Sequence, residues 1–259
     1  MQFVDTHCHL NHPDFDGEAG TAVRDRAHAA GVTQLLCIGY DEASSRRAAE
    51  LTHHPGLYAA IGIHPDAGAE WDSATASRLR ALWQAAPARI VAWGEIGLDY
   101  HWDTLPRPEQ QRVFAEQIAF ARAISSTLPL IIHCRDAEDD VLAVLRESQT
   151  PAPVVMHCFT GDTARAQTYL DAGYYLGIGG VATFKKSDAL RAAIAFAPLD
   201  RLLLETDCPY LAPQPWRGKR NEPGYLPAVA QTIAAAKDFS LETIATVTTA
   251  TARALFGMA

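Results

Sequence analysis

The sequence contains no apolar run that approaches the roughly 18 residues needed to cross a bilayer. It also begins without a charged segment followed by an apolar one, which is the pattern of a secretory signal. Its five cysteines are an odd number and show no C-x-x-C spacing, so a disulfide framework is not indicated. These absences predict a soluble, cytoplasmic protein that has no membrane partner and keeps its thiols reduced.

Positive charge is also scarce, since 22 Lys and Arg residues stand against 30 Asp and Glu residues and the formal net charge is −8. This balance argues against a broad basic surface for gripping nucleic acid. It is compatible with a metal site that meets phosphate locally, because a bound cation can be the largest charge in a pocket.

The chain has no internal repeat, low-complexity tract or linker, so we expect one domain spanning residues 1–259. Short apolar runs alternate with longer amphipathic segments, which is typical of a parallel sheet buried on both faces. Eight such units predict an α/β protein with a (β/α)8 TIM-like barrel, a fold that typically takes about 250 residues. An open doubly wound sheet is the alternative.

The predicted elements follow from this alternation. The strands are Gln2–His7, Gln34–Gly39, Tyr58–Ile63, Ile90–Ile96, Leu130–Cys134, Val154–Cys158, Tyr174–Ile178 and Arg201–Thr206. The helices are Glu18–Ala30, Glu42–His53, Ser73–Ala86, Pro108–Ser125, Ala137–Glu147, Thr163–Ala172, Ser187–Ala197, Pro223–Lys237 and Leu241–Leu255. Asp162, Asn221 and Ser240 stand where helix N-caps are expected, and the proline-rich stretch Cys208–Asn221 is predicted to be a loop over the barrel mouth.

His7 and His9 begin the candidate site. Residues two apart on a strand point to the same face, so the two imidazoles should converge while Cys8 points away. Such a pair can start a metal site, although alone it is more often a polar strand end.

Further residues of ligand type fall at the ends of other predicted strands, and in a barrel these ends open on one face. Each alone has an ordinary explanation, such as a buried histidine, a capping carboxylate or a turn residue. Together they predict a metal site made by His7, His9, Glu95, His133, His157 and Asp207.

Six ligands exceed the three or four of one catalytic zinc, so two ions are expected. Glu95 is central in strand order and is assigned the bridging role, with His7, His9 and Asp207 on one ion and His133 and His157 on the other. Oxygen and imidazole ligands suit magnesium, manganese or zinc. The neighbouring cysteines at 8, 134, 158 and 208 are a competing ligand set, which we interpret as packing residues.

These residues lie in motifs that together resemble the TatD family of metal-dependent deoxyribonucleases, over essentially the whole chain. The motifs are Asp5-Thr6-His7-Cys8-His9-Leu10, Gly62-Ile63-His64-Pro65, Gly94-Glu95-Ile96-Gly97-Leu98-Asp99-Tyr100, Ile132-His133-Cys134-Arg135-Asp136-Ala137, His157-Cys158-Phe159-Thr160-Gly161, Thr183-Phe184-Lys185, Leu204-Glu205-Thr206-Asp207-Cys208-Pro209-Tyr210-Leu211 and Arg217-Gly218-Lys219-Arg220-Asn221-Glu222-Pro223. The resemblance implies a TIM-like barrel, divalent metals, hydrolysis of DNA phosphodiesters, and the same six metal positions. Thr160, Lys186 and the segment 101–105 depart from the family's usual residues.

The expected reaction uses a metal-activated water, with Glu95 and Asp207 as catalytic residues and Asp207 as general base. His64 should contact substrate or orient a ligand. Expected phosphate contacts are Arg135, Arg217, Lys219 and Arg220, unless the last three form only a solvated loop. Tyr100, His101 and Trp102 are candidates for base stacking, with rim packing as the ordinary alternative.

An acidic chain should hold long duplex weakly, which favours an exonuclease on single-stranded or frayed DNA ends. One alternative is a metal-dependent hydrolase of small amides, lactones or phosphoesters. The other is a non-catalytic binding protein on a barrel fold.

Overall fold

In the part of the chain that the structure describes, eight parallel strands form one sheet in the same order as they occur in the sequence. The computed structural model describes residues 1–17, 21–102 and 104–258. The strands are β1 (Phe3–Cys8), β2 (Val32–Ile38), β3 (Leu57–Ile61), β4 (Ile90–Asp99), β5 (Leu130–Arg135), β6 (Val154–Met156), β7 (Tyr175–Ile178) and β8 (Leu202–Leu204). This order, in which every strand pairs with its successor, is that of the predicted barrel.

Helices connect the strands. They are α1 (Ala22–Ala29), α2 (Glu42–Leu51), α3 (Ser73–Ala85), α4 (Arg107–Ile124), α5 (Glu138–Ser148), α6 (Thr163–Asp171), α7 (Asp188–Phe196), α8 (Leu226–Lys237) and α9 (Leu241–Phe256). Short 3-10 turns cover Pro13–Phe15, Pro65–Glu70, Gly180–Thr183, Leu199–Arg201 and Pro223–Tyr225. The first helix was predicted to begin at Glu18; positions 18–20 lie outside the described residues, as does Asp103 in the segment 101–105. No helix in the described part of the chain has the length and apolar character of a membrane span.

The first and last strands meet through a seam of hydrogen bonds. The Asp207 amide donates to the His7 carbonyl at 2.8 Å, and the His9 amide donates to the Cys208 carbonyl at 2.8 Å. The buried Asp5 carboxylate accepts from both the amide and the hydroxyl of Thr206. The sheet therefore nearly closes into a barrel, which confirms the predicted fold class.

Among the described residues, two apolar clusters fill the interior. The larger lies between the strands and their helices. The smaller includes Val4, Leu36, Tyr58 and Leu203 from the strands, together with Phe256 at the end of α9. A packed interior of this kind leaves the strand ends and their loops as the place for a site.

Several predicted boundaries were wrong, and β4 and the start of α8 matter most. β4 continues to Asp99 because Gly97, Leu98 and Asp99 remain paired with β5. The helix predicted from Pro223 is a 3-10 turn followed by α8, and Asn221 does not cap it. Instead, the buried side-chain amide of Asn221 donates to the carbonyls of Thr206 and Tyr210 and holds the predicted loop against the barrel.

Two other predicted caps are confirmed. The Asp162 carboxylate accepts from the Arg165 amide at the start of α6. The Ser240 hydroxyl accepts from the Thr243 amide at the start of α9.

Candidate metal centre

The two histidines of the first motif meet as the sequence predicts. The Nε2 atoms of His7 and His9 lie 3.2 Å apart, and both rings are buried. The Ile38 carbonyl lies 3.0 Å from His9 Nδ1, and a carbonyl only accepts, so Nδ1 carries the hydrogen and Nε2 keeps its lone pair. The Cys8 thiol turns away and donates to the Leu36 carbonyl. The imidazole lone pair of His9 is therefore directed toward His7.

Glu95 is the hub of the site. Its Oε2 lies 3.4 Å from His7 Nε2 and 3.9 Å from His9 Nε2. Its Oε1 lies 2.8 Å from His133 Nδ1 and 2.8 Å from His157 Nε2. One buried carboxylate thus faces two separate pairs of imidazoles with its two oxygens.

Asp207 completes the cluster on the side of the first pair. Its Oδ1 lies 3.3 Å from His9 Nε2 and 3.7 Å from His7 Nε2. The structure therefore brings all six sequence-predicted residues together at the barrel mouth. His157 and Asp207 stand just beyond the ends of β6 and β8, in the loops that follow.

Glu95 does not end its strand, contrary to the sequence prediction. It lies within β4, where the pairing register with β5 shifts between Trp93 and Ile96. Gly94 and Gly97 flank it at φ 155° and 147°, and a β-carbon at Gly97 would overlap the His133 carbonyl oxygen. A bulge of this kind re-aims a side chain, here the Glu95 carboxylate, toward the centre of the mouth.

Asp99 is a functional candidate that the sequence analysis missed. Its Oδ2 lies 2.9 Å from His133 Nε2, so both nitrogens of His133 face carboxylate oxygens. Burial alone would lower the pKa of His133, but the hydrogen bonds to Asp99 and Glu95 raise it overall. The even spacing of 95 and 99 along one strand was the available signal, because it places both side chains on one face.

Glu205 is the second missed residue. It is fully buried, its Oε1 accepts from the Cys158 amide at 2.5 Å, and the same oxygen lies 3.6 Å from His157 Nδ1. Burial would lower the pKa of His157, yet the Glu95 and Glu205 carboxylates raise it well above its usual value. Its place in the motif Leu204-Glu205-Thr206-Asp207 was the signal.

His64 also lies at the mouth, with Nε2 3.8 Å from Glu95 Oε1. Its Nδ1 accepts a hydrogen bond from the Asp66 amide at 3.1 Å, so the ring's hydrogen is on Nε2. Burial and the neighbouring His133 lower the pKa of His64 to about 3. His64 is therefore a neutral hydrogen-bond donor aimed at the site.

The predicted substrate-contact residues do not form one group. The Tyr100 hydroxyl donates to Asp140, and the Arg135 guanidinium lies 5.6 Å from the exposed ring of Trp102. On the other side, Arg217 lies over Phe184, Arg220 lies over Phe15 and donates to the Asp14 carbonyl, and Lys219 is exposed. The basic side chains are thus divided between the end of β5 and the loop after β8.

The donor set fits divalent cations. Several ligand-type groups converge with their atoms within 4.8 Å, among them His7, His9 and Glu95, and also His64, Glu95 and His133. No cysteine joins such a group in the described residues, and all five thiols are free. The buried carboxylates supply oxygen donors, and the clustered imidazoles that they face supply nitrogen donors. Magnesium, manganese and zinc accept both kinds of donor.

Comparisons with known proteins agree with this chemistry. The family described as TatD related DNase matches residues 4–257. A Bacillus subtilis relative named uncharacterized metal-dependent hydrolase YabD is 41% identical over 254 residues, covering 97% of this chain and 98% of the relative. A Klebsiella pneumoniae relative named 3'-5' ssDNA/RNA exonuclease TatD is 36% identical over 240 residues, covering 90% of each.

The solved structures give the same result. The crystal structure of YJJV, a TatD homolog from Escherichia coli, superposes with a TM-score of 0.92 at 31% identity, covering 99% of this chain and 98% of that one. The chain therefore belongs to the TatD family of metal-dependent hydrolases.

Proposed function

We propose that this hydrolase cleaves phosphodiester bonds of DNA and removes nucleotides from single-stranded or frayed ends. The observation that carries the proposal is the placement of Glu95, whose two oxygens face two different pairs of imidazoles. A carboxylate shared in this way could hold two cations at the short separation that a two-ion phosphoryl site uses. The exonuclease relatives are named for both ssDNA and RNA, and the family description TatD related DNase supports DNA as the substrate.

The same placement supports the proposed division of the ligands between two cations. His7, His9 and Asp207 would hold one divalent cation, His133 and His157 the other, and Glu95 both. When bound, such cations supply Lewis acidity that polarises phosphoryl oxygens and makes a water molecule more acidic. Magnesium, manganese and zinc all suit these donors.

Asp207 is the proposed general base. Burial alone would raise the pKa of Asp207, but the hydrogen bond to His9 and the nearby imidazoles lower it overall. The side chain is therefore an ionised carboxylate at neutral pH and can accept a proton from the attacking water. Its backbone is fixed by the hydrogen bond to His7, which keeps this oxygen beside the site.

His64 and the rim residues are proposed to hold the substrate. The Nε2–H of His64 would donate a hydrogen bond to a non-bridging phosphate oxygen. Because the His64 imidazole is uncharged, this contact would not compete with the cations. Arg135, whose guanidinium lies 5.6 Å from the Trp102 ring, would hold a neighbouring phosphate, and Trp102 would stack on an unpaired base. Arg217, Lys219 and Arg220 would meet phosphates on the opposite side of the mouth.

The test compares a 5′-labelled linear single strand with a circular single strand of the same composition, using protein freed of metal and then loaded with magnesium, manganese or zinc. We expect stepwise shortening of the linear strand and an intact circle. Cutting of the circle at a comparable rate would overturn the preference for ends. A panel of small amides, lactones and phosphoesters at equal metal concentration tests the alternative substrate class.

Two variants separate chemistry from folding. Glu95→Gln removes the shared charge and should abolish hydrolysis, whereas Glu116→Gln changes an exposed glutamate on α4 and should not. Elemental analysis of the loaded wild-type protein should give two ions per chain. A stoichiometry of one at full activity would overturn the two-ion assignment.

A further inference from the structure

Besides Trp102, a second group of aromatic side chains lies at the barrel mouth, on the side away from Trp102. It consists of Tyr210, Tyr40 and His12, and we call it the Tyr210 platform. The Tyr210 ring is half exposed, and its centre lies 5.7 Å from the centre of the His12 ring and 6.1 Å from that of His9. The Tyr40 ring lies 5.6 Å from His9 on the same side. The platform therefore begins directly beside a proposed metal ligand.

The backbone under Tyr210 is fixed, although its ring protrudes. The Tyr210 amide donates to the Asp207 carbonyl at 2.9 Å, and the Tyr210 carbonyl accepts from the Asn221 amide at 2.7 Å. Asn221 is completely buried, so this anchor is not a surface contact. A large ring that stands on a fixed backbone and is left half in water is suited to stack against a ligand, because the backbone that carries it loses little conformational freedom on binding.

Loop order places the two aromatic groups on opposite sides of the site. Tyr210, His12 and Tyr40 follow β8, β1 and β2, which are neighbours across the seam and in the sheet. Trp102 follows β4, which lies opposite β8 in a ring of eight strands. Glu95 and its imidazoles lie between them, where the scissile phosphate would be.

Polar groups accompany the Tyr210 ring. The Asp14 amide donates to His12 Nδ1 at 3.2 Å, so the His12 Nε2 carries the hydrogen and can donate to a base or sugar. Aromatic rings bind any base through its π-face, so such a subsite tolerates all sequences. This matches a nuclease that degrades strands without reading them.

We propose that the Tyr210 platform binds the nucleobase on one side of the scissile phosphate, while Trp102 binds the base on the other side. The proposal rests on the proposed function, because it assumes a DNA substrate. It narrows that function to substrates that carry a base on both sides of the bond that is cut.

The experiment measures kcat/KM for release of the terminal nucleotide from three labelled single strands. One strand is intact, one has an abasic terminal nucleotide, and one has an abasic nucleotide next to the end. The proteins are wild type, Tyr210→Ala, Tyr210→Phe, and Phe239→Ala, which removes a comparably exposed ring between α8 and α9. Manganese affinity is measured for each protein.

We expect Tyr210→Ala to lower kcat/KM on the intact strand by about 5- to 150-fold, the range for loss of one stacked base. Tyr210→Phe should restore most of that loss because it keeps the ring, and Phe239→Ala should match wild type. One of the two abasic strands should be cut equally by wild type and Tyr210→Ala, because its missing base is the one that the ring would hold.

Two results overturn the proposal. Equal rates for wild type and Tyr210→Ala on the intact strand would show that the ring binds no base. A loss that is the same on all three strands and accompanied by weaker manganese binding would show that the ring only supports His9. If wild-type protein cuts no DNA strand, the proposed function fails first and the platform proposal falls with it.

Discussion

Asp99 is expected to set the affinity of the metal centre through His133. Its Oδ2 takes the Nε2 hydrogen of His133 at 2.9 Å, while its Oδ1 accepts from the amides of His101 and Trp102. In Asp99→Asn the amide oxygen can keep the two backbone contacts, but the amide nitrogen can only donate to His133 Nε2. The imidazole hydrogen must then move to Nδ1, which is the nitrogen that faces Glu95 and the site.

The expected loss of metal affinity in Asp99→Asn can be given a magnitude. Removing a partner that orients a ligand typically costs about 10- to 100-fold in metal affinity or activity, which corresponds to ~1.4–2.7 kcal/mol. We expect the concentration of Mn²⁺ at half-maximal binding to rise by that factor in calorimetric titrations of metal-free protein. Activity measured against Mn²⁺ concentration should show the same displacement and should recover in part at saturating metal.

The matched control is Asp140→Asn, which alters the carboxylate that accepts from the Tyr100 hydroxyl and from Gln111. It should leave the Mn²⁺ titration unchanged. Superimposable titrations for Asp99→Asn and wild type would refute the reasoning. So would an activity loss of equal size at every metal concentration, because that pattern indicates a direct role on substrate.

Three further changes test the centre and its supports. Glu95→Gln should lower the metal content of the loaded protein, because the shared charge is lost; elemental analysis giving wild-type content would contradict its bridging role. Gly97→Ala should lower the free energy of unfolding in urea by about 1–3 kcal/mol, because the added β-carbon meets the His133 carbonyl. The loss should be larger than for Gly173→Ala, where no atom lies within 4 Å of the added β-carbon. Gln117→Leu should lower the free energy of unfolding by at least ~2 kcal/mol. The buried side-chain amide of Gln117 accepts from the backbone N–H of Ile63 and donates to the Ile63 carbonyl, next to His64. An unchanged unfolding midpoint would show that these backbone groups find other partners.

Much of the site could be predicted because its residues obey strand periodicity and fold topology. The barrel follows from the alternation of apolar and amphipathic segments, and the convergence of His7 with His9 follows from their spacing of two. Given the barrel, His133 and His157 must reach the same mouth. These inferences need only local pattern and the rule that parallel strands end together.

The rest depends on long-range contacts that local pattern does not contain. The pairing register of β4 with β5 shifts beside Glu95, and the pairing then continues to Asp99, beyond the apolar run, so the predicted strand end was too early. Asp99 and Glu205 gain their roles only from histidines on other strands. Asn221 looks like a cap in sequence, yet its partners are carbonyls of the preceding loop.

The seam between the first and last strands has a consequence during protein synthesis. His7 and His9 leave the ribosome well before Asp207, their proposed partner ligand, whose amide can donate to the His7 carbonyl only after β8 has been made. A nascent chain therefore carries an incomplete binding site until nearly the whole barrel has emerged. Cation uptake should then occur after translation of the eighth strand, and a captured ion would stabilise the contact between β1 and the loop after β8.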